Sequence, residues 1–304
     1  MINKADISVV IPLYKNKEFF IKNLIHNWRF IKKNQIIIID DASNEDIGSE
    51  IKKKYPDILY IENSNNLGFS KTVNIGVKAA NRNYLLLLNS DVRLFDNSYQ
   101  RGLKALDKYK DLFAVSFAQK EKNGSIVGKN TIFFKNGLVH HSKVDNLSLG
   151  LNAWAEGGAC LIRKKYFDDL GGFDDIYSPF YWEDVDLSYR AYKRGWKVIF
   201  DPSIIVEHHH ESTIGKYFKK DEIIKISRRN QFIFLHKNIR DLHLILKVFM
   251  YALMCPFLGD IAYLWYYFKT AYEYPSVNFK VVNEGYQHNR RTDREILDLF
   301  KNNS

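Results

Sequence analysis

YLLLLNSD, residues 84–91, is a run of buried-type side chains that stops abruptly in polar groups and an aspartate. A continuous apolar run bounded by turn residues reads as a strand covered on both faces, because a half-exposed strand would alternate. Working back toward the N-terminus, the same signature recurs. Residues 6–12 (DISVVIP), 35–39 (QIIII) and 58–62 read as further strands, and the second ends in Asp40-Asp41. Between them, residues 18–30, 45–54 and 70–80 carry helical periodicity, with Ser43 as an N-cap for the second. Buried strands alternating with helices imply an α/β fold with a mainly parallel central sheet flanked by helices. Ligands in such sheets bind at the carboxyl ends of strands. Asp40-Asp41 and Asn89-Ser90-Asp91 both fall at such ends.

Beyond Leu112 the pattern changes. Short strands (112–116, 131–134, 158–162) are mixed with loops, and GGFDD at 171–175 is turn-rich. An amphipathic helix over 183–194, which Gly195 can cap, leads to a strand at 196–200. After His208-His209-His210 the chain reads as helical to about 274.

The 304 residues suffice for one large domain or a domain with a helical appendage. Two cysteines, Cys160 and Cys255, are too few for a disulfide framework and suit a reducing compartment. Residues 1–6 run straight into a strand without the regions of a signal peptide, so a cytoplasmic location is expected. The net charge of +10 comes from scattered basic residues with no nucleic-acid-binding motif, so no nucleic-acid partner is expected. An anionic membrane, a diphosphate substrate or a plain solvated surface all accommodate that charge.

Four groups of residues carry chemistry. A carboxylate at a buried strand end, as at Asp91, is costly unless paired or metal-bound. With oxygen donors nearby it suits magnesium or manganese against a diphosphate; a turn or helix-cap aspartate is the plainer alternative. Glu183-Asp184 beside Tyr181 and Trp182 forms a carboxylate pair of which one member can have the raised pKa of a general base. On spacing alone, first-turn acids complementing a helix dipole are the plainer reading. In an extended chain His208 and His210 share a face, as metal ligands or as a surface cluster. Residues 63–70 (NSNNLGFS) join a strand to a helix, where Gly68 and free N–H groups can cradle a phosphate, although no Walker or dinucleotide fingerprint is present.

Taken in order, these segments resemble family 2 of the inverting glycosyltransferases, of GT-A fold, and its rhamnosyltransferase-like branch. The matching residues are Val9-Val10-Ile11-Pro12-Leu13-Tyr14, Ile39-Asp40-Asp41-Ala42-Ser43, Asn66-Leu67-Gly68-Phe69, Leu88-Asn89-Ser90-Asp91, Gly171-Gly172-Phe173-Asp174, Glu183-Asp184-Val185-Asp186, Arg190, Gly195-Trp196 and the His triplet. The resemblance implies a catalytic domain over 1–212, with a nucleotide-sugar half to about 110 and an acceptor half beyond, and a helical region over 213–304. It implies that Pro12 and Tyr14 line a nucleotide pocket with Gly68, that Asp40 and Asp41 contact base and ribose, and that Lys71 reaches the base. Asn89-Ser90-Asp91 stands in place of the family's DxD motif, with Asp91 a ligand of Mn2+ or Mg2+. Asp184 is implied as the base and Glu183 as its neighbour orienting the acceptor. His208 is implied as a further metal contact, with His210 the alternative. Trp154, Tyr181 and Trp182 would stack on acceptor sugars or else pack internally. Asn89 departs from the usual aspartate, offering a carbonyl without charge; related sequences often carry it. The implied reaction moves a sugar, such as rhamnose, from a nucleoside diphosphate (UDP- or dTDP-linked) to a glycan or lipid-linked glycan acceptor for surface polysaccharide. A non-catalytic sugar-nucleotide-binding relative is the competing reading.

The 21-residue run 248–268 is apolar or aromatic except at Pro256, Gly259 and Asp260. It has the length of a membrane span, but a central aspartate costs roughly 2.5–3.5 kcal/mol on insertion. Two shorter helices are expected instead. Segment 241–271 would touch the inner face of the cell membrane peripherally, pack on the enzyme, or form a homo-oligomer interface.

Overall fold

The computed structural model describes residues 6–208, 217–274 and 290–301. The first half runs β1 (Ile7–Leu13), α1 (Lys17–Ile31), β2 (Gln35–Asp40), α2 (Gly48–Lys54), β3 (Leu59–Glu62), α3 (Phe69–Ala79), β4 (Tyr84–Leu88), β5 (Val92–Leu94) and α4 (Tyr99–Lys108). The second half adds β6 (Leu112–Lys120), β7 (Ile126–Val127), β8 (Asn130–Lys135), β9 (Leu138–Lys143), β10 (Gly150–Leu151), β11 (Ala159–Arg163), α5 (Lys164–Asp169), α6 (Glu183–Lys193) and β12 (Lys197–His208). Among the described residues four further helices follow: α7 (Lys220–Asn238), α8 (Leu242–Leu258), α9 (Ile261–Glu273) and α10 (Asp293–Asp298).

The central sheet is ordered β10-β12-β6-β11-β4-β1-β2-β3. Its β4-β1-β2-β3 half is parallel, as expected from the apolar runs. Ile37 and Ile39 face one helical layer, whereas Ile36 and Ile38 face the other, and all four are buried. That double coverage is why the strand does not alternate. Helix α3 lies so close to the sheet that a Cβ on Gly76 would come within 2.3 Å of Ile39 Cδ1 and 2.7 Å of Val10 Cγ1. Strand β11 then runs antiparallel between β4 and β6, while β12 is parallel to β6. The sheet is therefore mixed.

Two expectations need correction. Ser43 does not cap α2, which begins at Gly48. Its hydroxyl accepts from the Lys15 N–H at 2.7 Å and its own N–H donates to Asp40 at 2.9 Å, so it fastens two strand ends together. The strand expected at 196–200 continues to His208, with a register irregularity between Asp201 and Ile205. Pro202 lies in that irregularity, where its missing N–H disturbs no ladder bond.

The C-terminal helices are joined to the sheet region. As expected, the apolar run breaks: Gly259 at φ +72° ends α8, and the Asp260 side chain caps α9 by accepting from the Tyr263 N–H. Tyr263 stacks edge-on to Phe232 of α7 and donates to the Gly137 carbonyl at 3.2 Å. No described helix is long and apolar enough to cross a membrane. Helix α10 returns behind α6, where buried Asp293 meets Lys193 at 2.5 Å and Tyr189 at 2.6 Å.

Candidate active site

Asp91 lies in the turn between β4 and β5. Because β5 pairs antiparallel with the end of β12, His208 comes opposite Val92, next to that turn. His208 Nε2 lies 3.3 Å from Asp91 Oδ1, and the imidazole is buried. Its other nitrogen faces Gln119 Oε1. The Asn89 N–H donates to the Gly158 carbonyl at 2.8 Å. A carboxylate and an imidazole on one spot form a mixed oxygen and nitrogen donor set. Among the described residues no third His, Cys, Asp or Glu joins them. Among the described residues this pair supplies one oxygen and one nitrogen donor, which fits magnesium or manganese completed by phosphate oxygens and water. His210 lies outside the described residues.

The residues implied for the nucleotide gather near the ends of β1 and β2. Pro12, partly buried, pairs with Ile39 at the strand ends. Tyr14 meets Tyr217 edge-on at 5.9 Å, with Lys15 Nζ 4.8 Å from the Tyr217 ring. Asp40 accepts from the Ser43 N–H and from Tyr60 at 2.6 Å, whose hydroxyl is pushed up by burial and by that carboxylate. Asp41 accepts from the N–H groups of Leu67 (2.8 Å) and Gly68 (2.9 Å) and from the Asn63 amide (2.8 Å). Both buried carboxylates therefore tie neighbouring loops to the end of β2. Gly68, at φ +82°, brings this loop against the Pro179 carbonyl. Lys71 pairs with Asp175 at 3.0 Å.

Asp184 is the residue implied as the base. It sits in the first turn of α6, hemmed in by protein but partly solvent-accessible. Burial, and then the negative charge of Glu156, raise its carboxyl from 3.8 to about 7, against N–H donors from Val185 and Gly157. Glu183 is buried, and desolvation followed by the Asp184 charge holds it well above the usual carboxylate range. Its Oε2 has no hydrogen-bond partner among the described residues. Such surroundings favour the neutral carboxyl, which can donate a hydrogen bond.

The helix is entered through a strained loop. Tyr181 and Trp182 take φ of +72° and +78°, conformations that cost about 1–3 kcal/mol each for such residues. Buried Asn230 of α7 holds that loop by donating to the carbonyls of Tyr177 (2.7 Å), Phe180 (3.0 Å) and Tyr181 (2.9 Å). Asp186, fully buried, binds Arg190 (2.7 Å), Lys237 (2.9 Å), Asn238 (2.8 Å) and Tyr177 (3.0 Å). Arg190 and Lys237 offset the cost of burial and hold its carboxyl well below the usual range.

The aromatic candidates divide. Trp154 and Trp182 are only 8% and 4% exposed and pack against the two sides of His141, each at 5.2 Å. Tyr181 is 37% exposed, so of the three rings it alone offers a substantial open face. His141 itself is exposed beside both tryptophans.

The two ends meet at Gly157 and Gly158. The Gly157 N–H reaches Asp184. A Cβ on Gly158 would fall 2.4 Å from Asn89 Nδ2 and 3.2 Å from His208 Cε1. Adjacent residues thus touch the carboxylate of α6 and the Asn89/His208 cluster. Asp184 thus lies across the glycine pair from Asn89 and His208, and Asp91, 93 positions before it in the chain, stands 3.3 Å beyond the His208 ring. Gln119, Glu156, Asn230 and His141 had not been anticipated. Gln119 carried a usable signal, as a polar residue within the buried run LFAVSFAQ; Asn230, on a mixed helix, carried none.

The chain has recognisable relatives. An N-acetylglucosaminyl-diphospho-decaprenol L-rhamnosyltransferase of Mycobacterium tuberculosis is 23% identical over 210 residues, covering 60% of this chain and 68% of that protein. The structure of GalNAc-T7 with UDP, GalNAc and Mn2+ superposes with a TM-score of 0.62 at 16% identity, over 79% of this chain and 49% of that one. S. aureus TarS 1–349 in complex with UDP-GlcNAc superposes with a TM-score of 0.56 at 13% identity, over 80% and 70%. The fold is thus that of the GT-A glycosyltransferases. The profile of glycosyl transferase family 2 matches residues 8–171, more than half of the chain, and the protein belongs to that family.

Proposed function

We propose that this glycosyltransferase moves a sugar from a nucleoside-diphosphate donor to a hydroxyl of a glycan or lipid-linked glycan, with inversion, in the assembly of a surface polysaccharide. The observation that carries the reading is the glycine pair joining the Asp91/His208 cluster to Asp184. Asp184 takes the proton of the acceptor hydroxyl as the acceptor oxygen bonds to the anomeric carbon. The bond from that carbon to the donor's phosphate oxygen breaks, and nucleoside diphosphate leaves from the opposite face. A carboxyl at about 7 suits this role, since a base works best with a pKa near the operating pH. Glu183 donates to the acceptor and holds it toward Asp184. Asp91 and His208, with Asn89 beside them, would hold a divalent cation that stabilises charge on the departing diphosphate. Pro12, Tyr14, Ser90 and Lys71 line the nucleotide side, in a wall shaped by Asp40, Asp41 and Gly68. The rhamnosyltransferase relative supports a deoxyhexose donor and a lipid-linked acceptor.

Apolar side chains of α8 and α9, among them Leu246, Phe249, Leu253, Phe257, Trp265 and Phe268, are exposed. With the net charge of +10, this surface supports peripheral contact with the inner face of the cell membrane. Release of nucleoside diphosphate from UDP-, dTDP- and GDP-sugars with manganese tests the reaction. One donor class should be hydrolysed in preference, and hydrolysis should fall in Asp91→Ala. A protein that binds these donors and never turns over any of them, with acceptor lipid present, would leave the non-catalytic reading standing.

A further inference from the structure

We infer that Gln119 and Glu156 are positioning residues that fix which nitrogen of His208 faces the cation: Glu156 sets the Gln119 amide, and Gln119 sets the imidazole. The inference rests on the proposed holding of a divalent cation by Asp91 and His208.

The relay follows from which atoms can donate. Glu156 accepts from Asn130 Nδ2 at 2.9 Å on one oxygen and from Gln119 Nε2 at 2.6 Å on the other. Asn130 Nδ2 also faces the Gly128 carbonyl at 3.3 Å, so its amide nitrogen lies between two acceptors and does not flip. A carboxylate only accepts, so it selects the NH2 end of Gln119. The carbonyl end of Gln119 is thereby turned to His208 Nδ1. An amide oxygen only accepts, so Nδ1 carries a hydrogen and Nε2 is the nitrogen presented to Asp91 and the cation. Gln119 is 0% exposed, so water does not substitute for it. Gln119 acts on the cation through His208, and Glu156 acts through Gln119. Outer partners of this kind change metal affinity by about 10–100-fold when removed.

The test measures Mn2+ affinity in the presence of saturating UDP, by the electron paramagnetic resonance signal of free Mn2+, in the full chain. UDP affinity without metal and the thermal midpoint are measured alongside. Gln119→Met, of similar volume but with no amide, should bind Mn2+ about 10–100-fold more weakly while metal-free UDP affinity holds. Glu156→Gln, which lets the Gln119 amide adopt either orientation, should weaken Mn2+ in the same direction by a smaller factor. A folded Gln119→Met with wild-type Mn2+ affinity overturns the inference. Should that variant not fold, unchanged Mn2+ affinity in Glu156→Gln does so. His208→Ala and Asp91→Ala separate the two ideas. If both bind Mn2+ as wild type does, the cation site itself is wrong, whatever the relay does.

Discussion

Replacing Asp184 by asparagine should harm catalysis and help folding, with both effects tracing to one buried charge. The unfolded carboxyl titrates near 3.8 and the folded one at about 7. Below pH 3.8 both states are protonated and no difference exists. Between there and pH 7 the unfolded chain ionises while the folded one resists, so folding loses free energy as pH rises. Above pH 7 the loss is complete, on the order of 4 kcal/mol at 1.36 kcal/mol per tenfold. Asparagine carries no such charge. It keeps one acceptor oxygen for the N–H of Val185 or Gly157 and surrenders the other bond, worth about 1 kcal/mol. A net gain on the order of 3 kcal/mol at pH 8 follows, shrinking to nothing near pH 4, read by urea unfolding at the two pH values. In transfer assays the same variant should lose about 10²–10⁴-fold in rate and retain donor binding. The wild-type rate should climb about tenfold per pH unit up to pH 7 and then level, because the base works only when deprotonated. Transfer within tenfold of wild type, or a variant less stable than wild type at pH 8, would refute the reasoning.

Gly158→Ala should fold, since the new methyl displaces the end of the Asn89 side chain and moves the His208 ring by a few tenths of an ångström, at about 1–3 kcal/mol; calorimetry with UDP and Mn2+ should show at least a tenfold loss of affinity. Asn230→Ala strips three carbonyls of their donor and should cost about 1–3 kcal/mol. Its kcat/KM for the acceptor should fall while donor affinity stays level, and equal losses in both would count against a role confined to the acceptor loop. Flotation with anionic liposomes at low salt should carry the full chain, and Phe257→Ser with Phe268→Ser should stay behind. A full chain that remains unbound, or sediments as a discrete oligomer through this surface, would redirect the α8–α9 surface to protein contacts.

The parallel half of the fold was legible because β1, β2 and β4 are apolar without alternation, and that pattern has one physical reading. Strand direction was not legible, since β11 is equally apolar and runs the opposite way; burial leaves a pattern in the residues and polarity of the chain does not. The β8–β9 hairpin was missed despite a signal. Asn136-Gly137, with φ of +51° and +67°, is the pair that a two-residue hairpin turn demands. Ser43 misled because a hydroxyl before a helical pattern is a cap in isolation, whereas here Lys15, far off in sequence, claims it. At the site, Asp91 with His208 and Asp184 with Glu183 were readable as motifs. What orients them was not. Gln119, Glu156 and Asn230 act through partners 37 to 89 positions away, and no local spacing encodes such a contact.

Helix α7 lies outside the stretch that defines the family, yet it grips the site through Asn230 and, at its far end, through Lys237 and Asn238 on Asp186. A shortened protein ending near residue 212 would keep the sheet and forfeit the clasp on the loop that enters α6. Chimeras meant to exchange acceptor preference should therefore graft residues 177–186 and 220–238 as one unit, because either piece alone would meet a foreign counterpart.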